Sequence, residues 1–131
     1  MTCGLEREGE VAPKLDFLVE QGSDFHRWFQ VKDSQGNVVS LADWTSVLGQ
    51  ARRSQAEGSP VAFDIPLTID YAENKIYWSI LAEVTRPLVV GETAKDSAST
   101  FYYDFVRIRA GRPKRIQQGR IFIHRDITVP A

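Results

Sequence analysis

A chain of 131 residues with 43% hydrophobic and 25% charged side chains suits one soluble globular domain that needs neither disulfides nor metal to bury a core. The single cysteine, Cys3, excludes an internal disulfide and fits a reducing compartment, and the sequence has neither a membrane-spanning apolar run nor a hydrophobic leader. The 16 Lys and Arg against 17 Asp and Glu nearly cancel, but they are unevenly placed along the chain.

Residues 1–13 are polar and acidic, with Gly4, Gly9 and Pro13 and little periodicity, and read as a flexible N-terminal arm. Residues 14–131 read as one β-rich domain. Lys14–Glu20 is a first strand, closed by a Gln21-Gly22 turn. Asp24–Lys32 alternates, with Phe25, Phe29 and Val31 on one face and His26, Trp28 and Gln30 on the other. Asp33-Ser34-Gln35-Gly36 is a turn, because Asp suits its first position and Gly the positive φ that closes it. Asn37–Leu41 reads as a short strand, followed by a bend at Asp43-Trp44 and a strand over Thr45–Arg53. Val61–Asp70 is extended but holds Pro66, which has no N–H to donate, so it reads as an edge strand or one bent in the middle. Lys75–Leu81 alternates, with Ile76, Trp78 and Ile80 on one face. Ala82–Val89 reads as a helical turn cut short at Pro87. Thr100–Ala110, a Gly111-Arg112-Pro113 turn and Arg115–Thr128 form a final hairpin. Within it, Phe101, Tyr103 and Phe105 alternate and the apolar set then moves to Val106 and Ile108, which predicts a bulge near Phe105.

Many short strands with at most one helical turn predict an all-β fold. The first expectation is an immunoglobulin-like antiparallel β-sandwich of about seven strands, and a small closed barrel is the second. The expected core is Phe25, Phe29, Val31, Ile76, Trp78, Ile80, Ile121 and Ile123.

The chemistry-bearing patterns are sparse. His26 and His124 stand apart, without a His-x-His pair, a Cys cluster or Glu-x-x-His spacing, so no metal site is expected. Cys3 lies on the arm, where a nucleophile lacks fixed geometry. No phosphate-binding Gly pattern or nucleophile elbow occurs, so no catalytic residue and no cofactor is assigned. Binding is favoured over catalysis. Trp28 and Tyr77 share a strand face opposite Phe29 and Trp78, where they either stack on sugar rings, form an interface or are covered by a loop. The segment Arg107–Arg125 is strongly basic. It holds Arg107, Arg109, Arg112, Lys114, Arg115, Arg120 and Arg125 and no acid, leaving nine basic against 17 acidic residues elsewhere. This hairpin is either a solvated face that blocks aggregation or a charge-governed assembly contact. Glu6, Glu8 and Glu10 on the arm, with Asp16 and Glu20, are one complement, which favours head-to-tail contact between copies. An overall pI near 6.1 argues against nucleic acid as the partner.

Several short segments together resemble a known family. They are Gln21-Gly22, Arg52, Thr85-Arg86-Pro87-Leu88, Tyr103-Asp104, the alternating Gly119–Ile123 and Ile127-Thr128. Over residues 15–128 this order resembles small tailed-phage virion proteins with an immunoglobulin-like sandwich, akin to the N-terminal domain of upper baseplate proteins. The resemblance implies a non-enzymatic structural protein that joins components of the tail, baseplate or neck. It also implies other virion proteins as partners, a homo-oligomer within the particle, assembly in the host cytoplasm and no membrane. The chain departs from the pattern by its acidic arm, by an insert around Val89–Ser99 and by stopping after the domain. Those departures suit a connector or adaptor, with a capsid decoration protein or a carbohydrate-binding adhesin module as alternatives.

Overall fold

Pro66 divides one extended run into two strands that belong to different sheets. The computed structural model describes residues 13–56, 58–88 and 98–124. Its elements are β1 (Phe17–Glu20), β2 (Phe25–Phe29), β3 (Ser46–Arg52), β4 (Val61–Ile65), β5 (Leu67–Asp70), β6 (Lys75–Ile80), α1 (Ala82–Thr85), β7 (Ala98–Arg109) and β8 (Arg112–His124). One sheet has five strands in the order β1-β8-β7-β3-β4, and the other has three in the order β2-β6-β5. β4 ends at Ile65 on an edge of the first sheet, and β5 starts at Leu67 on an edge of the second. The missing N–H of Pro66 falls where the chain crosses between sheets and no ladder bond is needed.

The β2-β6-β5 sheet facing β8-β7-β3-β4 is the strand order of an immunoglobulin-like sandwich of the variable type. The fold is thus an all-β immunoglobulin-like sandwich, with one parallel pair, β1 on β8. Antibody domains pin their two sheets with a disulfide. Here an aromatic cluster fills the centre. Trp78 of β6 meets Phe17 at 4.9 Å and Phe105 at 5.2 Å between ring centroids, both edge-on, and Phe29 stacks on Phe105 at 5.9 Å. Ile76, Trp78, Ile80, Ile121 and Ile123 are buried as their alternation predicts, and Phe25, Phe29 and Val31 pack half-buried against them. Val19, Leu41, Trp44, Phe63, Ile65, Phe101, Phe105 and Ile116 complete the core.

Turn chemistry fixes the strand ends. Asp33 Oδ1 accepts from the N–H of Gln35 (2.9 Å) and of Asn37 (3.0 Å), and Gly36 takes φ +85°. Asn37–Leu41 is not a strand, for only the Lys32–Val38 bridge forms there. Leu41 N–H instead donates to Asn74 Oδ1 at 2.9 Å, which ties this segment to the β5–β6 turn.

The final hairpin differs from its sequence reading in two ways. Its turn is Ala110-Gly111, with φ +52° and +75°, and Arg112 already belongs to β8. Two successive positive φ values give the tight turn that matches strand twist. β7 also keeps a single parity: Phe101, Tyr103, Phe105 and Arg107 are buried in alternation, and Val106 and Ile108 point outward. The expected irregularity is present as a register shift between Phe105 and Val106, but the extra residue lies on the partner strand, where Ile116 and Gln117 are both buried. The arm residues 1–12, most of the Val89–Ser99 insert and Arg125–Thr128 lie outside the described residues.

Candidate interaction surface

The basic hairpin does not present its charge as one edge. Arg107 is 4% exposed and points inward, its guanidinium 5.7 Å from the Trp44 ring centroid and its Nη1 donating to Arg112 O at 3.4 Å. It caps the end of the core with its long stem and is not available as a surface contact. Arg109 lies 3.9 Å from Asp43. Arg115 donates to Asp104 Oδ2 and to Gln118 Oε1, both at 3.3 Å. Arg112 is exposed beside the turn and Lys114 is half-buried. Arg125, Glu6, Glu8 and Glu10 lie outside the described residues.

Arg120 is the best satisfied of the group. Its Nη2 and Nε donate to Asp16 Oδ2 at 2.8 and 3.2 Å, and its backbone N–H donates to Asp16 Oδ1 at 2.9 Å. These bonds hold the Asp16 carboxyl below its ordinary 3.8. The acid that the hairpin lacks is thus supplied by Asp16, just before β1 of the same chain, with Asp104 and Asp43 serving Arg115 and Arg109.

Asp16, Arg120 and Arg115 belong to an open groove of about 870 Å³ on the outer face of the five-stranded sheet. It runs across the strands from Lys14 and Asp16, over Gln118 and Arg120 of β8 and Tyr102 and Asp104 of β7, to Arg52 of β3. Residues 54–56, 58 and 59 wall its far end, and Arg52 Nε holds that wall by donating to Ser59 O at 3.0 Å. Among the described residues the lining carries four cations, Lys14, Arg52, Arg115 and Arg120, against two carboxylates, Asp16 and Asp104. The excess of two positive charges, with amide and hydroxyl groups between, suits carboxylates presented by an extended partner. Sequence reasoning did not bring Lys14 and Arg52 to this surface, because the groove is assembled from strands distant in the chain.

Beneath the groove, Tyr103 is buried. Its hydroxyl donates to Leu15 O at 2.7 Å and accepts from Gln117 Nε2 at 3.0 Å. Burial pushes its ionisation up to about 12.

The opposite face has a different character. Trp28 and Tyr77 are direct cross-strand neighbours on β2 and β6, and are 53% and 41% exposed. Lys75 Nζ sits 4.3 Å from the Trp28 ring centroid and 3.1 Å from Glu73 Oε1. Among the described residues, no group of three or more His, Cys, Asp or Glu is placed to hold a metal ion.

No family model matches the chain, and no curated protein matches it in sequence. Solved structures similar in backbone include one from a photo-crosslinking study of multimeric cell-adhesive interactions of VGSC beta subunits, at 13% identity and TM-score 0.44 over 92% of this chain and 98% of that one. Another is the natural killer cell receptor NKp44, at 5% identity and TM-score 0.39 over 89% of this chain and 100% of that one. The fold assignment rests on the strand order itself.

Proposed function

We propose that this chain is a non-enzymatic structural protein of a tailed-phage virion. In this reading it joins components of the tail, baseplate or neck through the outer face of its five-stranded sheet. The supporting observation is that two of the short segments behind the phage resemblance meet in one hydrogen-bonded corner. Gln21 Nε2 donates to Thr85 O (2.9 Å) and Leu88 O (2.9 Å), and Gly22 N–H donates to Thr85 Oγ1 (2.8 Å), across more than 60 residues of sequence. A third, Gly119 within the last strand, has an equally physical role, since it lets the Leu15 backbone lie against β8. Segments that act together in space support the view that their order is a fold signature. The test is mass spectrometry of purified particles of the phage encoding the chain, followed by reconstruction of its position. The expected result is a stoichiometric component of the tail, baseplate or neck. Its absence from washed particles rejects the proposal.

The exposed Trp28–Tyr77 pair supports a second reading, a carbohydrate-binding module, since adjacent aromatic faces suit sugar rings. That reading expects glycan binding by the free chain that Trp28→Ala abolishes. A glycan screen with no binding, or binding that survives the substitution, removes it.

A further inference from the structure

We propose that the outer-face groove receives the acidic N-terminal segment of a second copy of this chain, residues 6–10, and that this contact joins copies in an assembly. The inference rests on the structural-protein reading above and names the partner of the same surface. Charge complementarity is the first argument. Among the described residues the groove lining carries two positive charges in excess, and Lys14 has no side-chain partner among them. Arg115 spends its donors on bonds of 3.3 Å, long for charge-assisted pairs. An incoming carboxylate therefore meets cations with unused or weakly used donors.

The second argument is spacing. Glu6, Glu8 and Glu10 alternate, so an extended segment presents all three carboxylates on one face. From Glu6 to Glu10 such a segment spans about 13 Å at roughly 3.3 Å per residue. The groove crosses from β1 over β8 and β7 to β3, three strand spacings or about 14 Å. Arg120 and Arg52 both lie opposite Tyr102, and Lys14 bridges Gln118 beside them, so three carboxylates match these three cations laid across the strands, with Arg115 farther along β8.

The third argument selects a second copy over the same chain. The described chain starts on the rim of the groove, where Gln118 N–H donates to Pro13 O at 3.0 Å and Leu15 N–H donates to Gln118 O at 2.9 Å. It thus lies parallel to β8. Residues 13–15 thus run along β8 while the groove runs across the strands, so a segment laid across the groove belongs more naturally to a second copy. A neighbour is free to approach at the required angle.

The experiment uses the full chain and sedimentation equilibrium at about 0.1 M and about 1 M salt, where the screening length falls from about 10 Å to about 3 Å. The wild type is expected to associate at low salt and to weaken about tenfold or more at high salt, as charge contacts in an open, solvent-accessible groove do. The arm variant Glu6→Lys/Glu8→Lys/Glu10→Lys and the groove variant Lys14→Glu/Arg115→Glu should each be monomeric. An equimolar mixture of the two should associate again, because one supplies an intact groove and the other an intact arm. The single Lys14→Glu change, at an exposed side chain, guards against misfolding of the double variant and should weaken association on its own. A wild type that stays monomeric, variants that associate like wild type, or a mixture that fails to associate each overturns the proposal. A chain found in particles but monomeric in solution overturns this inference and leaves the structural reading standing. A chain that self-associates through this contact but is missing from particles overturns only that reading.

Discussion

Gly119 sits where β1 comes closest to β8, and a β-carbon there would collide with the Leu15 carbonyl. Relief requires moving β1 off β8, against the bonds that link Pro13 and Leu15 to Gln118. Gly119→Ala should therefore cost about 2–4 kcal/mol in a denaturant titration, in the range of strain and overpacking effects. Gly36→Ala is the control. Its β-carbon meets open space and only its φ of +85° is penalised, so about 1 kcal/mol is expected. Equal costs would mean that close approach is not what selects glycine at 119. Tyr103 gives a second prediction. Its ionisation is raised from 10.0 to about 12, so the folded chain holds the proton more tightly than the unfolded chain. The associated stability is complete below about pH 10 and is lost between about 10 and 12, with a magnitude of roughly 2–3 kcal/mol at 1.36 kcal/mol per unit. The stability difference between wild type and Tyr103→Phe should shrink by that amount across the window, and a constant difference rejects it. At acid pH the sign reverses. Asp16 is held below 3.8, so its contribution is present above that pH and lost as pH falls through the lowered value. Arg107 shows what residue chemistry hides in a sequence. Its charge reads as solvent-facing, yet parity puts it inside, where its guanidinium lies over the Trp44 ring.

At the scale of elements, α1 has only four residues, so its carbonyls need partners from elsewhere. The Gln21 amide supplies donors to Thr85, Arg86 and Leu88. Gln21→Ala should destabilise the domain by about 1–3 kcal/mol, the cost of leaving such acceptors without a donor. Gln21→Glu is the sharper test, because a carboxylate cannot donate. It should cost at least as much as the alanine change, and a neutral Gln21→Glu would show that the amide is not what holds the corner. Elements with local causes were legible in the sequence. Alternation marks β2 and β6, Pro66 marks the β4–β5 break and Pro87 ends α1. Pairings without local causes were not. β1 meets β8 across the whole length of the domain, and no periodicity within either strand announces a parallel partner. The apolar residues of the β7 sequence shift parity after Phe105, which predicts a bulge on that strand. The structure keeps that parity and puts the extra residue at Ile116. A sequence pattern locates such a disruption but does not say which strand absorbs it.

The whole molecule separates its surfaces by charge and polarity, and this scale was the least visible in the sequence. The groove draws on the segment before β1, on β3, β7 and β8 and on a loop, so its cations lie up to 106 positions apart, Lys14 to Arg120. The exposed Trp28–Tyr77 pair was legible, because two strands of opposite parity are enough to define it. The place of the arm is decided by how its removal acts on the domain. Pro13 and Leu15 bond to Gln118 ahead of the β1–β8 ladder, and deleting residues 1–12 removes neither residue. In dilute solution the thermal midpoint should therefore move by less than about 4 °C, the shift expected from at most about 1 kcal/mol in a domain of this size. An arm bound within its own chain would stabilise the monomer, and its deletion would lower the midpoint at every concentration. An arm bound to a neighbour stabilises by mass action, so the wild-type midpoint should rise with protein concentration and the deletion should abolish that rise. Calorimetry across a hundredfold range of concentration separates the two cases. A large drop in midpoint that does not depend on concentration would make the arm part of its own domain and remove its role between copies.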